Sequence, residues 1–167
     1  MAESNARATR TTVVGRLVDE IRWRNGAIAG LVATVAMSLA IAVTDLEVLR
    51  VAVAGLYGRE GSLLVGWVAH LVHGSLFGMV FAAMLADAAL DGLPAGPART
   101  AAAGAAYGVL LAVVGAGIIM PIWLAVVGFS EPPTLPHVTA PLLAWHLVYG
   151  LVLGAVFSVL SRPASTA

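Results

Sequence analysis

The sequence predicts an all-α membrane protein: a bundle of four transmembrane helices made of two parallel tandem repeats, plus an N-terminal amphipathic surface helix. Three observations predict it. Of 167 residues, 60% are hydrophobic and 11% are charged, whereas soluble domains run at about 45–50% apolar and about 25% charged. Four uncharged stretches approach the roughly 20 residues that a helix needs to cross a bilayer. The two halves of the chain also resemble each other.

The elements follow in order. Residues 1–10 are polar and small, a composition that favours disorder. Thr11–Arg24 places Val13, Val14, Leu17, Val18 and Ile21 at helical spacing, with Arg16, Asp19, Glu20 and Arg22 elsewhere. That pattern predicts an amphipathic helix on the membrane surface, with Trp23 as an interfacial anchor. A cleaved signal peptide is not expected, because the first apolar run comes late and is long enough to span. Span one runs from about Gly26 to Thr44 and is ended by Asp45, Glu47 and Arg50. Val48–Tyr57 is apolar but short, so it reads as an interfacial or re-entrant piece. Span two runs from about Ser62 to Ala86, and a Pro- and Gly-punctuated loop follows. Span three runs from about Thr100 to Met120, where Pro121 is expected to kink or end it. Ile122–Phe129 is a second short apolar piece, Ser130–Pro141 is a Pro-rich loop, and span four runs from about Leu142 to Leu160.

Domain boundaries follow: 1–25 tail and surface helix, 26–86 first helix pair, 87–99 loop, 100–161 second helix pair, 162–167 tail. All nine cations are arginine. Arg7, Arg10, Arg16, Arg22, Arg24, Arg99 and Arg162 fall on one side of the four spans, and Arg50 and Arg59 on the other. The positive-inside rule then makes both termini and the 87–99 loop cytoplasmic and the protein a multi-pass protein of the cell membrane. A net charge of zero gives no support to a nucleic-acid partner, and the absence of cysteine removes disulfides and thiolate metal sites.

The repeat is clearest in spans two and four. His70-Leu-Val-His73-Gly74-Ser-Leu-Phe-Gly78-Met-Val-Phe81 aligns with His146-Leu-Val-Tyr149-Gly150-Leu-Val-Leu-Gly154-Ala-Val-Phe157, identical at seven of twelve positions. Gly26–Gly30 resembles Gly104–Gly108, and Val51–Leu56 resembles Leu124–Phe129. Asp45 and Pro121 interrupt the chain at equivalent places. An even number of spans per copy gives both copies the same orientation, with a pseudo-twofold axis along the membrane normal.

The polar residues inside these spans are the candidates for chemistry. On a helix, His70, Gly74, Gly78 and Phe81 fall within about one quarter of the circumference. The second copy presents His146, Gly150, Gly154 and Phe157, with Tyr149 in place of His73. The leading reading is packing: small-xxx-small faces let membrane helices approach closely, and a histidine there can bond across the contact. The second is a b-type haem with His70 and His146 as axial ligands and Gly74, Gly78, Gly150 and Gly154 leaving room for the porphyrin face. The third is a divalent metal held by His70, His73 and His146, with His137, Asp45 or Glu47 as further donors. Asp45 and Glu47 read equally as charges that end a span, and His137 as a solvated loop residue. An oligomeric transport protein is a fourth reading, but no central Asp, Glu or Arg is present to couple it. Soluble catalytic motifs are absent, and the Gly-rich stretches lie inside spans.

Ala29, Gly30, Leu31, Ala33, Thr34 and Met37 in span one, with Gly66, Trp67, His70 and Gly74 in span two, carry a resemblance. The chain is similar to a family of small uncharacterised four-span membrane proteins common in halophilic archaea, with bacterial relatives. The resemblance implies a four-span fold and no established activity. The expected function is that of a non-enzymatic accessory or scaffold protein in the lipid bilayer, alone, as a homo-oligomer or within a larger membrane complex.

Overall fold

The computed structural model describes residues 2–86 and 96–162, with side chains from Asp19 onward. The 87–99 loop as far as residue 95, the tail from 163, and the side chains of Thr11–Val18 lie outside the described residues. Every regular element among the described residues is helical. The long helices are α1 (Ala2–Thr44), α2 (Leu63–Met84), α3 (Pro97–Val126) and α4 (Ala140–Leu160), with a short helix, Val48–Val53, after α1. Among the described residues, four helices are long and apolar enough to cross a membrane: Asp19–Thr44 within α1, and the whole of α2, α3 and α4. Helices are what such sequences must form, since hydrocarbon offers no partner to a free backbone N–H or C=O. Val43 is 83% exposed, Leu64 74% and Val126 71%, an apolar exterior suited to lipid rather than water.

Local chemistry sets the element ends. Ser62 and Thr139 cap α2 and α4, their hydroxyls accepting from Val65 N and Leu142 N, which satisfies orphan donors of the first turn. Pro97 and Pro141 stand in the first turns of α3 and α4, where no N–H is needed. No proline stands between Ala2 and Thr44, and α1 passes Trp23 and Gly26 as one helix. The surface helix expected at Thr11–Arg24 is therefore not divided from span one by a backbone break.

Span three differs from the expectation. The helix does not end at Pro121 but continues to Val126. Over Leu111–Ile119 the backbone winds in wider π-type turns, and Met120 N–H bonds back five residues to Gly115 O. Pro121 cannot donate to Gly117 O, one α-turn earlier. His137 N–H does so instead, at 2.8 Å, so the loop supplies the bond that proline removes. Gly117 admits the approach, because a Cβ there would stand 3.0 Å from Val138 and 3.2 Å from His137 O. At Asp45, in contrast, the helix does end, and the chain turns into the short helix.

Two tight helix pairs result. In the first, a Cβ on Gly30 would run into Gly74 O and lie 2.9 Å from Gly78 Cα; in the second, a Cβ on Gly104 would run into Gly150 O and lie 3.0 Å from Gly154 Cα. Gly26 and Gly108 likewise face Gly78 O and His146 O. Glycine at these crossings is what lets the backbones touch. In these contacts Gly104 stands to Gly150 as Gly30 stands to Gly74, one helical turn away from the sequence alignment of Gly26 with Gly104. The short helix and the end of α3 close alike: Arg59 N–H donates to Ala54 O at 3.1 Å around Gly58 (φ 64°), and Phe129 N–H to Leu124 O at 2.9 Å around Gly128 (φ 78°). This left-handed closure favours glycine.

The pairs join through α1 and α4. Asn25 Nδ2 donates to Leu160 O at 3.0 Å near one end, and Trp145 Nε1 donates to Thr44 Oγ1 at 3.0 Å near the other. The order around the bundle is α2, α1, α4, α3, and α2 and α3 do not pack along each other.

Candidate functional site

The space between α2 and α3 is a cavity of about 710 Å³. Thr34, Met37 and Ile41 of α1 and Trp145, His146 and Tyr149 of α4 form its inner wall; Phe77, His70 and His73 of α2 and Tyr107, Leu111 and Val114 of α3 form its flanks. Among the described residues, no Asp, Glu or Arg lines it. Towards the end of the bundle that carries Asn25 and Leu160, three aromatic rings gather. Phe81 meets Phe157 edge-on at 5.9 Å and Tyr107 at 5.5 Å between ring centroids, and Tyr107 Oη donates to Phe77 O at 3.0 Å. At the opposite end the two short segments meet. Trp123 Nε1 donates to Leu56 O at 2.9 Å, and the Phe129 ring occupies the space beside Gly55.

Three of the four histidines line this cavity. His70 and His146 each lie six or seven residues into their helix, roughly 9–11 Å from its start at 1.5 Å per residue. His70 Nδ1 is 2.8 Å from Ser38 Oγ on α1, and His146 Nδ1 is 2.9 Å from Leu142 O on its own helix. Among the described residues neither Nε2 has a protein partner, and no buried side-chain nitrogen or oxygen is left unbonded. Each Nε2 is therefore accessible, and both residues line the cavity. His73 is engaged differently: its Nε2 shares a 2.6 Å hydrogen bond with Tyr57 Oη, the two rings stacked at 5.8 Å.

At the glycines expected to bound a haem, neighbouring helices come close. Gly74 is filled by the Thr34 side chain, Gly78 by Gly26 and Gly30, Gly150 by Gly104, and Gly154 by Thr100 and Ala101. Tyr149 Oη donates to Gly74 O at 2.7 Å, placing a phenol where α4 approaches α2. The faces of these glycines are thus closed by neighbouring helices. Among the described residues no three His, Asp or Glu side chains gather as metal ligands. Asp45 is exposed, and Glu47 pairs with Arg50 at 3.2 Å on the surface. His137 serves through its backbone N–H at Gly117.

Several residues that shape the site were not singled out from sequence. Ser38 carries a signal that could have found it: a hydroxyl in mid-span must bond to something, and at α-helical spacing from Thr34 it shares the face turned to α2. Trp145, Tyr107 and Tyr57 carry no such signal, since aromatic residues occur throughout membrane helices and at both interfaces.

No curated protein and no solved structure matches the chain. A family described as of unknown function, DUF6789, matches over residues 22–167. The match takes in most of the first apolar helix and all of the other three, and the chain belongs to that family.

Proposed function

We propose that the chain is an integral protein of the cell membrane that holds a lipid-soluble small molecule between its two helix pairs, as a binding or accessory component rather than a catalyst. One observation carries this reading: α2 and α3 stand apart around an apolar cavity of about 710 Å³ that is lined by side chains of all four long helices. Sites for small molecules are concave, about 300–1,000 Å³, mainly apolar, with a few placed polar groups. Here the gap between two lipid-facing helices gives a lipophile a lateral route from the hydrocarbon. The absence of Asp, Glu and Arg from the lining weighs against an ion path or proton relay.

Two further readings belong to this proposal. The chain arose by duplication of a helix pair, which is supported by the twofold occurrence of the same glycine crossing and the same left-handed closure. Both termini face the cytoplasm, which is supported by seven arginines on that side against two on the other.

The test is to extract the detergent-purified protein with organic solvent and identify what it retains by mass spectrometry. A lipophile held near one per chain is expected, and Val114→Trp, which fills the cavity from α3, is expected to lose it. Equal retention by the variant would refute the reading. A bis-histidine haem b is the second reading, favoured by the two histidines, His70 and His146, that line one cavity. It requires a reducible Soret band that disappears in His70→Ala or His146→Ala; a colourless protein refutes it.

A further inference from the structure

The two cavity histidines differ in what holds their other nitrogen, and this difference reaches the ligand. His146 Nδ1 lies 2.9 Å from Leu142 O. A carbonyl oxygen can only accept, so Nδ1 carries the proton, and in the neutral ring Nε2 is then a bare acceptor. His70 Nδ1 lies 2.8 Å from Ser38 Oγ. Ser38 is fully buried, and among the described residues His70 Nδ1 is the sole acceptor within reach of its hydroxyl. If the serine accepted instead, its proton would be buried without a partner, at the desolvation cost of an unmade hydrogen bond. So Ser38 O–H donates to Nδ1, and the His70 proton sits on Nε2, a donor.

Building on the proposed lipophile-binding reading, we infer that the cavity presents one donor from α2 and one acceptor from α4 and takes a hydroxyl-bearing aromatic lipophile, a long-chain phenol or hydroquinone. A hydroxyl both accepts and donates, so it can satisfy His70 and His146, whereas an ester, ether or ketone satisfies the donor and leaves the acceptor unmet. Trp145, Phe77 and Tyr107 give a flat ring aromatic neighbours. Of the other polar side chains near the site, Tyr107 and Tyr149 donate to Phe77 O and Gly74 O, Thr34 donates to Gly30 O, and His73 shares one hydrogen bond with Tyr57. His70 and His146 are the pair that offers one donor and one acceptor to a single hydroxyl.

The experiment follows tryptophan fluorescence of the detergent-purified protein titrated with 4-dodecylphenol, 4-dodecylanisole and dodecylbenzene. The phenol is expected to bind roughly tenfold more tightly than the anisole, the value of one hydrogen bond in an apolar site. His146→Phe is expected to erase that margin while leaving the anisole within about twofold, and His70→Phe to weaken phenol and anisole alike. Because either variant can perturb folding, a measurement on the unaltered sequence stands beside them. Nitrogen-15 spectra of histidine-labelled protein should show His146 protonated on Nδ1 and His70 on Nε2; the same tautomer in both rings would overturn the inference. Equal binding of all three probes would also overturn it while leaving the cavity a lipophile site. Binding of none would remove the lipophile reading itself.

Discussion

Replacing Gly30 by alanine probes the contact on which the first helix pair depends. A Cβ there would run into Gly74 O and stand 2.9 Å from Gly78 Cα. Carbon atoms rest at about 3.5–4.0 Å, so α1 and α2 must part by at least about 0.6 Å (3.5 − 2.9) at the crossing. The obstructing atoms are backbone, so no side-chain rotation relieves them. A gap of roughly 0.5–1 Å forfeits about a quarter to a half of each van der Waals contact, and overpacking of this kind costs about 1–3 kcal/mol. The added methyl returns about 0.5–1 kcal/mol through helix propensity. The net expectation is destabilisation by about 1–2 kcal/mol. Gly115→Ala is the matched control, since a Cβ there meets nothing within 4 Å. Gly104→Ala should resemble Gly30→Ala, because Gly104 faces Gly150 O as Gly30 faces Gly74 O. The assay is reversible unfolding in mixed micelles of rising dodecyl sulfate content, read by tryptophan fluorescence. If Gly30→Ala and Gly115→Ala unfolded at the same composition, glycine contact would not be what holds the pair.

The other expectations use the same preparation. Tyr149→Phe removes the donor to Gly74 O and should lower stability by about 1 kcal/mol in the same unfolding assay, with no change in helix content by circular dichroism. Trp123→Phe removes the tie to Leu56 O; because Trp123 is half exposed, stability should fall by less than about 1 kcal/mol, while exchange of a bound lipophile, followed by stopped-flow fluorescence, should quicken. The chain has no cysteine, so single cysteines report topology directly. Glu131→Cys should react with a membrane-impermeant maleimide on intact cells, and Arg99→Cys should react after lysis; the opposite pattern would reverse the arginine-based orientation.

The four spans were legible because hydrocarbon imposes a simple rule, namely about twenty residues without charge, and Gly26–Thr44 and Leu142–Leu160 obey it plainly. Which of the two outcomes expected at Pro121, a kink or an end, would hold was not legible, for a physical reason. Proline ends a helix when the carbonyl it orphans has no other donor, and the donor here, His137 N–H, comes from a loop whose return path no local pattern encodes. The glycines at 74, 78, 150 and 154 were legible as close-packing positions, but their partners were not. Sequence similarity set Gly26 beside Gly104, whereas the crossings pair Gly30 with Gly104, because small residues spaced by four look alike in either register. His70 and His146 stood out as ionisable groups in lipid. Their unlike hydrogen bonds were hidden, since Ser38 lies 32 residues from His70 in sequence.

The cavity is a consequence of where the chain places small and large side chains. Within each pair, glycine lets the backbones touch, so α1 with α2 and α3 with α4 leave no internal space. Between the pairs α1 packs against α4, whereas α2 and α3 are reached through Phe81, Phe157, Tyr107 and Tyr149, rings that cannot all meet without holding some backbones apart. Four of the tyrosine and tryptophan groups spend their hydrogens on the opposite half: Tyr107 Oη on Phe77 O, Tyr149 Oη on Gly74 O, Trp145 Nε1 on Thr44 Oγ1, and Trp123 Nε1 on Leu56 O. These bonds fix the spacing of the pairs rather than closing it, because an aromatic side chain reaches its partner only at its own length. Shortening the struts should therefore shrink the cavity before it unfolds the bundle. Tyr107→Ala and Tyr149→Ala together are expected to bring α2 nearer to α3 and α4, and to reduce lipophile retention more than they reduce the helix content. Measured as spin-label distances between positions 80 and 114, an unchanged or wider separation in the double variant would show that the gap has another cause.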